Sequence, residues 1–188
     1  MTSTAGRRPR SDAAHNRDRV LTAAEELFNS QGTAVHMSEV AKSAGVGVGT
    51  VYRHFPTRRA LVEAVAEQRF VEILAFAREH CLDQPDPREA LRGFLHHVGE
   101  VHERGRGQSD AIEAVLGSTE PRGEPGERLQ EVGETLLRRG REAHVVRADI
   151  TVADLYMIVG CVATICRNGF GDWRRFVEIA LNGFRPLD

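Results

Sequence analysis

Apolar residues recur at intervals of three and four positions along most of this chain, and no stretch alternates as a β-strand does. The first such stripe carries Val20, Ala24, Leu27 and Phe28, and Gly32 follows it at the position where helices commonly end. Similar spacing returns in the later segments. The pattern therefore predicts an all-α fold of about nine helices without an internal repeat.

Two short helices are predicted around a glycine turn near residue 45. Val40 and Ala41 lie on the inner face of the first helix, and Gly45 supplies a residue that can adopt a positive φ at its end. Val51 and Phe55, four positions apart, bury the inner face of the second helix. This arrangement is typical of a helix-turn-helix.

The outer face of the second helix is rich in groups that suit nucleic acid. Thr50, Tyr52, Arg53 and His54 offer a hydroxyl, a phenol and two groups that can carry positive charge. Such groups match phosphate oxygens and base edges. The residues therefore predict a helix that contacts DNA.

Longer helices are predicted for the rest of the chain. Thr57 caps a helix that continues to about Cys81, and Pro87 lies in the first turn of the next helix, which Gly105 and Gly107 break. The remaining predicted helices cover residues 111–116, 127–143, 152–168 and 172–185, with a loop at 117–126.

Composition and charge narrow the class of protein. Hydrophobic residues make up 41% of the chain and charged residues 28%, which is ordinary for a globular protein, and no apolar run is long enough to cross a bilayer. Three cysteines without metal-ligand spacing suit a reducing compartment, so a cytoplasmic location is expected. The net charge is −2, yet the first 60 residues carry +4 and the rest −6, so the basic part coincides with the predicted DNA-binding helices.

Residues 1–15 lack apolar periodicity and are predicted to be disordered. Arg7, Arg8 and Arg10 lie in this segment. Two interpretations stay open at this point. The segment is either a solvated tail or a basic arm that lies along phosphates or in the minor groove.

Residues 17–65 as a whole resemble the DNA-binding region of the tetracycline-repressor (TetR) family of bacterial transcription regulators. The resemblance covers an ordered series of features rather than one short motif, and beyond about residue 65 it is only architectural. Two positions depart from the family pattern. Gly47 stands where a Ser usually caps the recognition helix, and His36 stands where a Thr or Ser usually caps the helix before it.

The resemblance implies a homodimeric, ligand-responsive repressor that binds double-stranded operator DNA and needs no cofactor. It implies a helix-turn-helix domain at residues 16–62 and a ligand-binding and dimerisation domain at residues 63–188. The residues expected at the DNA are Ser38, Gly47, Val48, Gly49, Thr50, Tyr52, Arg53, His54, Arg58 and Arg59, together with Arg7, Arg8 and Arg10 of the arm.

The resemblance also implies a small-molecule pocket among the C-terminal helices. The candidate wall residues are Phe70, Leu74, Phe94, His97, Val98, Val101, Ile112, Val115, Leu129, Val132, Leu136, Tyr156 and Val159. For any single apolar member, ordinary core is the alternative and the better interpretation. His96, His97 and His102 are not spaced to converge on one ion from a helix, so no metal site is expected.

The last two predicted helices are more apolar than a monomer needs, and pairing with a second copy into a four-helix bundle explains this and matches the family. The alternative is an ordinary core hairpin. The residues expected in the dimer interface are Val152, Leu155, Val159, Val162, Ala163, Cys166, Trp173, Phe176, Val177, Ala180 and Phe184.

An enzyme is the main rival function. The sequence has no nucleophile elbow, P-loop, His-Glu-x-x-His motif or glycine-rich dinucleotide turn, so the chain is not expected to be an enzyme. A helical small-molecule-binding protein or enzyme without a DNA-binding role is the alternative. Such a protein would have no reason to keep a basic recognition helix.

Overall fold

The computed structural model describes residues 9–121 and 123–186. Within these residues the chain forms nine α-helices and no β-strand, which confirms the all-α prediction. The helices are α1 Pro9–Gln31, α2 Met37–Ser43, α3 Val48–His54, α4 Arg58–Phe76, α5 Pro87–Arg104, α6 Arg106–Leu116, α7 Gly123–Glu142, α8 Val152–Asn168 and α9 Trp173–Gly183.

The first helix begins earlier than predicted. Residues 9–15, which the sequence predicts to be disordered, are the first turns of α1, so the prediction of disorder is wrong for this part of the segment. Proline suits a helix start because its ring presets φ, and extending an existing helix costs little once its later turns are packed. Arg7 and Arg8 lie outside the described residues, and Arg10 lies in the first turn of α1.

The helix-turn-helix forms as predicted from α1, α2 and α3. Gly45 adopts φ +63° after α2, and the amide of Val46 donates to the carbonyl of Ala41 at 3.0 Å. Val51 and Phe55 are both buried, with Val51 fully so. A strained corner that only glycine adopts easily therefore sets the angle between the two short helices.

The fourth helix leads from this domain into the rest of the chain. The hydroxyl of Thr57 accepts a hydrogen bond from the amide of Ala60 at 3.0 Å, as its predicted role as a cap requires. After Phe76 the helix continues as a π-helical segment, Ala77–Cys81. The buried residues of α4 contact both the helix-turn-helix and the C-terminal helices.

Two predicted boundaries in the middle of the chain are wrong. The sixth helix begins at Arg106 rather than at residue 111, and the seventh begins at Gly123 rather than at residue 127. Gly107 does not break α6, because its role is close packing: a Cβ there would lie 2.5 Å from the carbonyl oxygen of Asn29 in α1. The end of α1 and the start of α6 therefore lie backbone to backbone.

The C-terminal body packs α5 against α8 and α9. Thr151 and Asp172 cap α8 and α9 through hydrogen bonds to backbone amides, and Trp173 is buried against Gly99 of α5. A Cβ on Gly99 would lie 2.2 Å from the Trp173 ring, so a glycine is required for this contact.

Candidate functional site

The recognition helix α3 presents a face that the rest of the chain leaves uncovered. Val48 and Tyr52 are 44% and 48% exposed, whereas Val51 on the opposite face is completely buried. Gly49 and Arg53 are also exposed, and a Cβ on Gly49 would meet no atom within 4 Å. An exposed valine and tyrosine on a seven-residue helix have no role in the core of this domain.

The two short helices and the start of α4 together form a shallow depression of about 520 Å³. Ser38 of α2, Val48 and Tyr52 of α3, and Arg58 of α4 line it. The structure thus brings to one surface residues that lie up to 20 positions apart in the sequence. Thr50 and His54 are half-buried beside this surface.

The caps of α2 and α3 explain how the two departures from the family pattern are tolerated. Gly47 is the N-cap of α3, and its carbonyl accepts a hydrogen bond from the amide of Thr50 at 2.8 Å. The backbone amide of His36 donates to the Glu39 carboxylate at 2.8 Å at the start of α2. The Glu39 carboxylate thus supplies its half of a capping box, and the amide of Glu39 donates to the carbonyl of His36 at 3.0 Å.

Arg58 and Arg59, expected at the phosphate backbone, are held by the protein itself. Arg58 Nη2 donates to the carbonyl of Thr33 at 2.8 Å. Arg59 Nε donates to the Glu63 carboxylate at 2.9 Å, and its Nη1 donates to the carbonyl of Val115 at 3.1 Å. Both guanidinium groups are thus engaged in joining segments within the chain.

A cavity of about 750 Å³ lies among α4, α5, α7 and α8. Six of the predicted wall residues line it: Phe70, Phe94, Val98, Leu129, Tyr156 and Val159. Seven others do not line it, which corrects their assignment: Leu74, His97, Val101, Ile112, Val115, Val132 and Leu136. These lie on helix faces turned toward other neighbours, where the apolar members pack as core or against it.

The histidine of the cavity is not the predicted one. The His97 ring stacks on Phe76, with ring centroids 3.8 Å apart and planes 5° apart, away from the cavity. His102, which is 4% exposed, lines the cavity instead. The sequence held a signal for it, because His102 follows Phe94 and Val98 at intervals of four on the same helix face.

His102 is an uncharged and unsatisfied group. Its Nδ1 atom is buried and has no hydrogen-bond partner among the described residues. Burial, and then the nearby positive charge of Arg69, lower the pKa of His102 to about 3. The imidazole is therefore neutral near pH 7, with Nδ1 enclosed and unpaired while Nε2 is not among the enclosed atoms.

A buried arginine lies behind this wall and joins α4 to the start of α6. Arg69 donates to Gln108 Oε1 at 2.8 Å, to Ser109 Oγ at 3.1 Å and to the Gly105 carbonyl at 3.4 Å. Burial lowers the pKa of Arg69 to about 10, and the carboxyl groups of Glu72 and Glu25 oppose that shift. The group therefore stays charged near pH 7.

The predicted dimer residues separate into core and surface. Val152, Leu155, Val162, Cys166, Trp173, Val177 and Phe184 are buried within the single chain, so they offer little surface to a partner, and their place in an interface stays a prediction. Val159, Ala163, Phe176 and Ala180 are half-buried. The sides of α8 and α9 that point away from this core expose other residues, with Met157 at 63% and Ile179 at 56%.

Several exposed and half-buried residues of α8 and α9 share one face of each helix. We use the name outer face for Met157, Gly160, Cys161 and Thr164 of α8 with Phe176, Ile179, Ala180 and Gly183 of α9. A Cβ on Gly160 or Gly183 would meet no atom within 4 Å, so space remains beside both residues. Small residues allow another helix to approach closely.

Residues that could bind a metal ion do not cluster in the described part of the chain, where no three His, Cys, Asp or Glu residues form a suitable group. None of the described helices is both long and apolar enough to span a membrane.

Comparison with known proteins identifies the family. Residues 20–65 match the model of bacterial regulatory proteins of the TetR family, and residues 86–186 match the C-terminal domain of SbtR-like transcriptional regulators. The chain belongs to the TetR family. This membership confirms the recognition made from residues 17–65 and the expectation that the chain is a regulator and not an enzyme.

Individual relatives of this TetR-family chain span different shares of its length. An HTH-type transcriptional regulator of Staphylococcus aureus is 43% identical over 74 residues, which covers 36% of this chain and 38% of that relative. A nucleoid occlusion factor from Marinobacter nauticus is 30% identical over 136 residues, covering 70% and 69% of the two chains. The crystal structure of a TetR regulator from Mycobacterium vanbaalenii is 34% identical, with a TM-score of 0.65 over 94% of this chain and 99% of that one.

Proposed function

We propose that this TetR-family chain is a repressor that binds operator DNA as a homodimer and releases it when a small molecule enters the cavity. The exposed face of α3 is the observation that carries the DNA-binding part. Val48 and Arg53 read base edges in the major groove, while Thr50, Tyr52 and His54 contact phosphates. Ser38, Gly47 and Gly49 border the same surface.

Arg58 and Arg59 are left out of this contact set. Their guanidinium groups already bind carbonyl and carboxylate oxygens of the chain with one or two of their five N–H groups, and these bonds restrict where the remaining N–H groups can point, so we rank both below the residues of α3. Arg10 remains a candidate because it is basic and lies in the first turn of α1, within the DNA-binding domain.

The experiment that tests this contact set measures affinity for DNA from around the protein's own gene and for random DNA of equal length. Arg53→Ala should cost about 1–3 kcal/mol on the specific site and less on random DNA, whereas Tyr52→Phe should weaken both alike. Arg59→Ala is the matched control, and it should leave the dependence of affinity on salt unchanged. Equal losses on both DNAs for Arg53→Ala would refute its role in reading bases.

The ligand response is proposed to act through α4, which begins beside α3 and lines the cavity with Phe70 and Ile73. A helix of 19 residues is about 28 Å long. On that length, a tilt of about 5° at the cavity displaces the helix-turn-helix end by roughly 2 Å. Two recognition helices must lie about 34 Å apart to enter successive major grooves, so a ligand that favours the tilted state weakens DNA binding.

The homodimer is proposed to form through the outer face of α8 and α9. Exposed Met157 and Ile179 with small neighbouring residues suit a close four-helix contact. A regulator that binds bacterial DNA works in the cytoplasm, and this is the location we propose.

A further inference from the structure

The cavity has a buried inner wall and an exposed rim of different chemistry. The inner wall comes from α4 and α5, where Phe70, Ile73, Phe94, Val98 and His102 are all buried. The rim is exposed, and its polar side chains include Glu120, Gln130 and Glu134. A ligand therefore meets apolar surface and one imidazole at its inner end, and carboxylates at its outer end.

The inner wall favours a hydrogen-bonding but uncharged ligand group. The His102 ring lines the cavity and makes no hydrogen bond within the described chain. Its Nδ1 atom is enclosed by protein, so Nε2 is the ring nitrogen left for a ligand, and a ligand group that pairs with it gains a hydrogen bond. A neutral imidazole both donates and accepts, so a hydroxyl or amide can pair with it. An anion gains little there, because the ring stays uncharged near pH 7.

The nearby Arg69 does not make this end of the cavity an anion site. Its guanidinium is not part of the wall, and its N–H groups are bound by Gln108, Ser109 and Gly105. The carboxyl groups of Glu72 and Glu25 lie close enough to oppose its field. The arginine is thus satisfied by the protein itself.

The charge of the rim also discriminates between ligands. Among the described residues that line the cavity there is no Lys or Arg, whereas Glu120 and Glu134 are present. A carboxylate or phosphate on the outer end of a ligand would lie near like charges, which is unfavourable, and a cationic group would be attracted.

We infer that the effector is a largely apolar molecule with an uncharged hydrogen-bonding group at its inner end and a neutral or cationic outer end, and that anionic compounds are excluded. This inference deepens the proposed function and rests on it, because it assumes that the cavity is the effector site. The chemical class is that of hydroxylated aromatic or polycyclic compounds, with or without an amine, rather than acyl carboxylates or phosphorylated metabolites.

The test uses four matched aromatic probes and isothermal titration calorimetry on the full chain. The probes are biphenyl, 4-phenylphenol, biphenyl-4-carboxylate and 4-hydroxy-4′-(aminomethyl)biphenyl. We expect 4-phenylphenol to bind about fivefold to tenfold more tightly than biphenyl, since it adds one hydrogen bond. The carboxylate should bind more than about tenfold more weakly than the phenol, because it lacks the inner hydrogen bond and meets like charges at the rim, and the amine should bind at least as tightly as the phenol.

Four variants test which residues cause these differences in affinity. His102→Leu should abolish the advantage of the phenol over biphenyl, while His97→Leu on the same helix, whose ring lies outside the cavity, should leave it unchanged. Glu134→Gln should weaken the amine and not the phenol. Arg122 adjoins Pro121 of the rim but lies outside the described residues, so Arg122→Ala is measured with the carboxylate.

The outcomes separate this inference from the proposed function. A carboxylate that binds within tenfold of the phenol, with or without Arg122, overturns it, and so does a phenol advantage that survives His102→Leu. No binding by any probe to protein that still binds DNA also overturns it and leaves DNA binding intact. The expected order of affinities without any effect on DNA binding supports the ligand class and refutes the proposed release mechanism.

Discussion

Gly107 in α6 lies directly against the carbonyl oxygen of Asn29 at the end of α1, closer than any side chain would allow. A Cβ at residue 107 would be 2.5 Å from that oxygen and 2.6 Å from the carbonyl oxygen of Phe28. These are backbone atoms, so relief would require α1 to move as a whole. The contact ties the last turn of the first DNA-domain helix to the ligand-binding body.

The first prediction concerns this contact. Gly107→Ala should lower the free energy of unfolding by about 1–3 kcal/mol, because the added methyl forces the two helices apart. The measurement is urea denaturation. Gly49→Ala, in a helix where a Cβ meets no atom within 4 Å, is the matched control and should be neutral or stabilising by up to about 1 kcal/mol. Equal effects of the two substitutions would contradict the close packing.

The second prediction concerns the buried arginine. Arg69→Met should reduce the free energy of unfolding by about 2–4 kcal/mol, because it removes the bonds to Gln108 and Ser109 and leaves their oxygens buried without that partner. Arg69→Lys should not restore it, since an ammonium cannot reproduce the planar set of donors. Arg104→Met, which removes an exposed pair with Glu72, should cost no more than about 1 kcal/mol.

The third prediction is a pH dependence of stability from His102. Its pKa is about 3 in the folded chain against an ordinary value of 6.5, so the unfolded chain binds a proton that the folded chain does not between these values. Stability from this group is therefore complete above pH 6.5 and falls as the pH drops toward 3. At pH 5 the loss is about 2 kcal/mol.

The comparison that checks it is His102→Leu against the original chain in urea denaturation from about pH 7.5 to about pH 5. The variant lacks this titration, so its stability should fall less over that range. Parallel stability curves for the two proteins would show that His102 takes up its proton in the folded state as well.

The fourth prediction concerns the outer face. Ile179→Glu should shift the protein from dimer to monomer in light scattering across a concentration series, because a charge at the centre of an apolar contact is left without a partner. Val71→Glu is the control, since Val71 is also exposed but lies on α4, away from the outer face. A dimer that survives Ile179→Glu would place the interface elsewhere.

Local spacing was enough to predict the DNA-binding domain. Val51 and Phe55 had to face inward because they are four residues apart, and Gly45 and Thr57 marked helix ends through their own backbone and side-chain chemistry. These signals act within a few residues, so they can be read from the sequence. The resemblance of residues 17–65 then supplied the function.

The residues whose roles were predicted wrongly are those whose surroundings depend on contacts with distant segments of the chain. Gly107 appeared to be a helix breaker because its partner, the end of α1, is far away in the sequence. Val162 and Ile179 are both apolar, yet one is fully buried within the chain and the other is exposed, and the packing of distant helices against α8 and α9 determines which. Apolar residues occur in the core, in the cavity wall and on the outer face, so the residue types alone could not distinguish these three regions.

Met157 and Gly160 belong at once to the cavity rim and to the outer face. If the outer face joins two subunits, then ligand binding and dimerisation involve the same residues. The free energies of the two events are then thermodynamically linked. A compound that binds the dimer more tightly than the monomer must strengthen subunit association by the same factor. Effector affinity would then vary with the concentration of the protein itself, so that a scarce regulator and an abundant one would respond to different doses of the same compound.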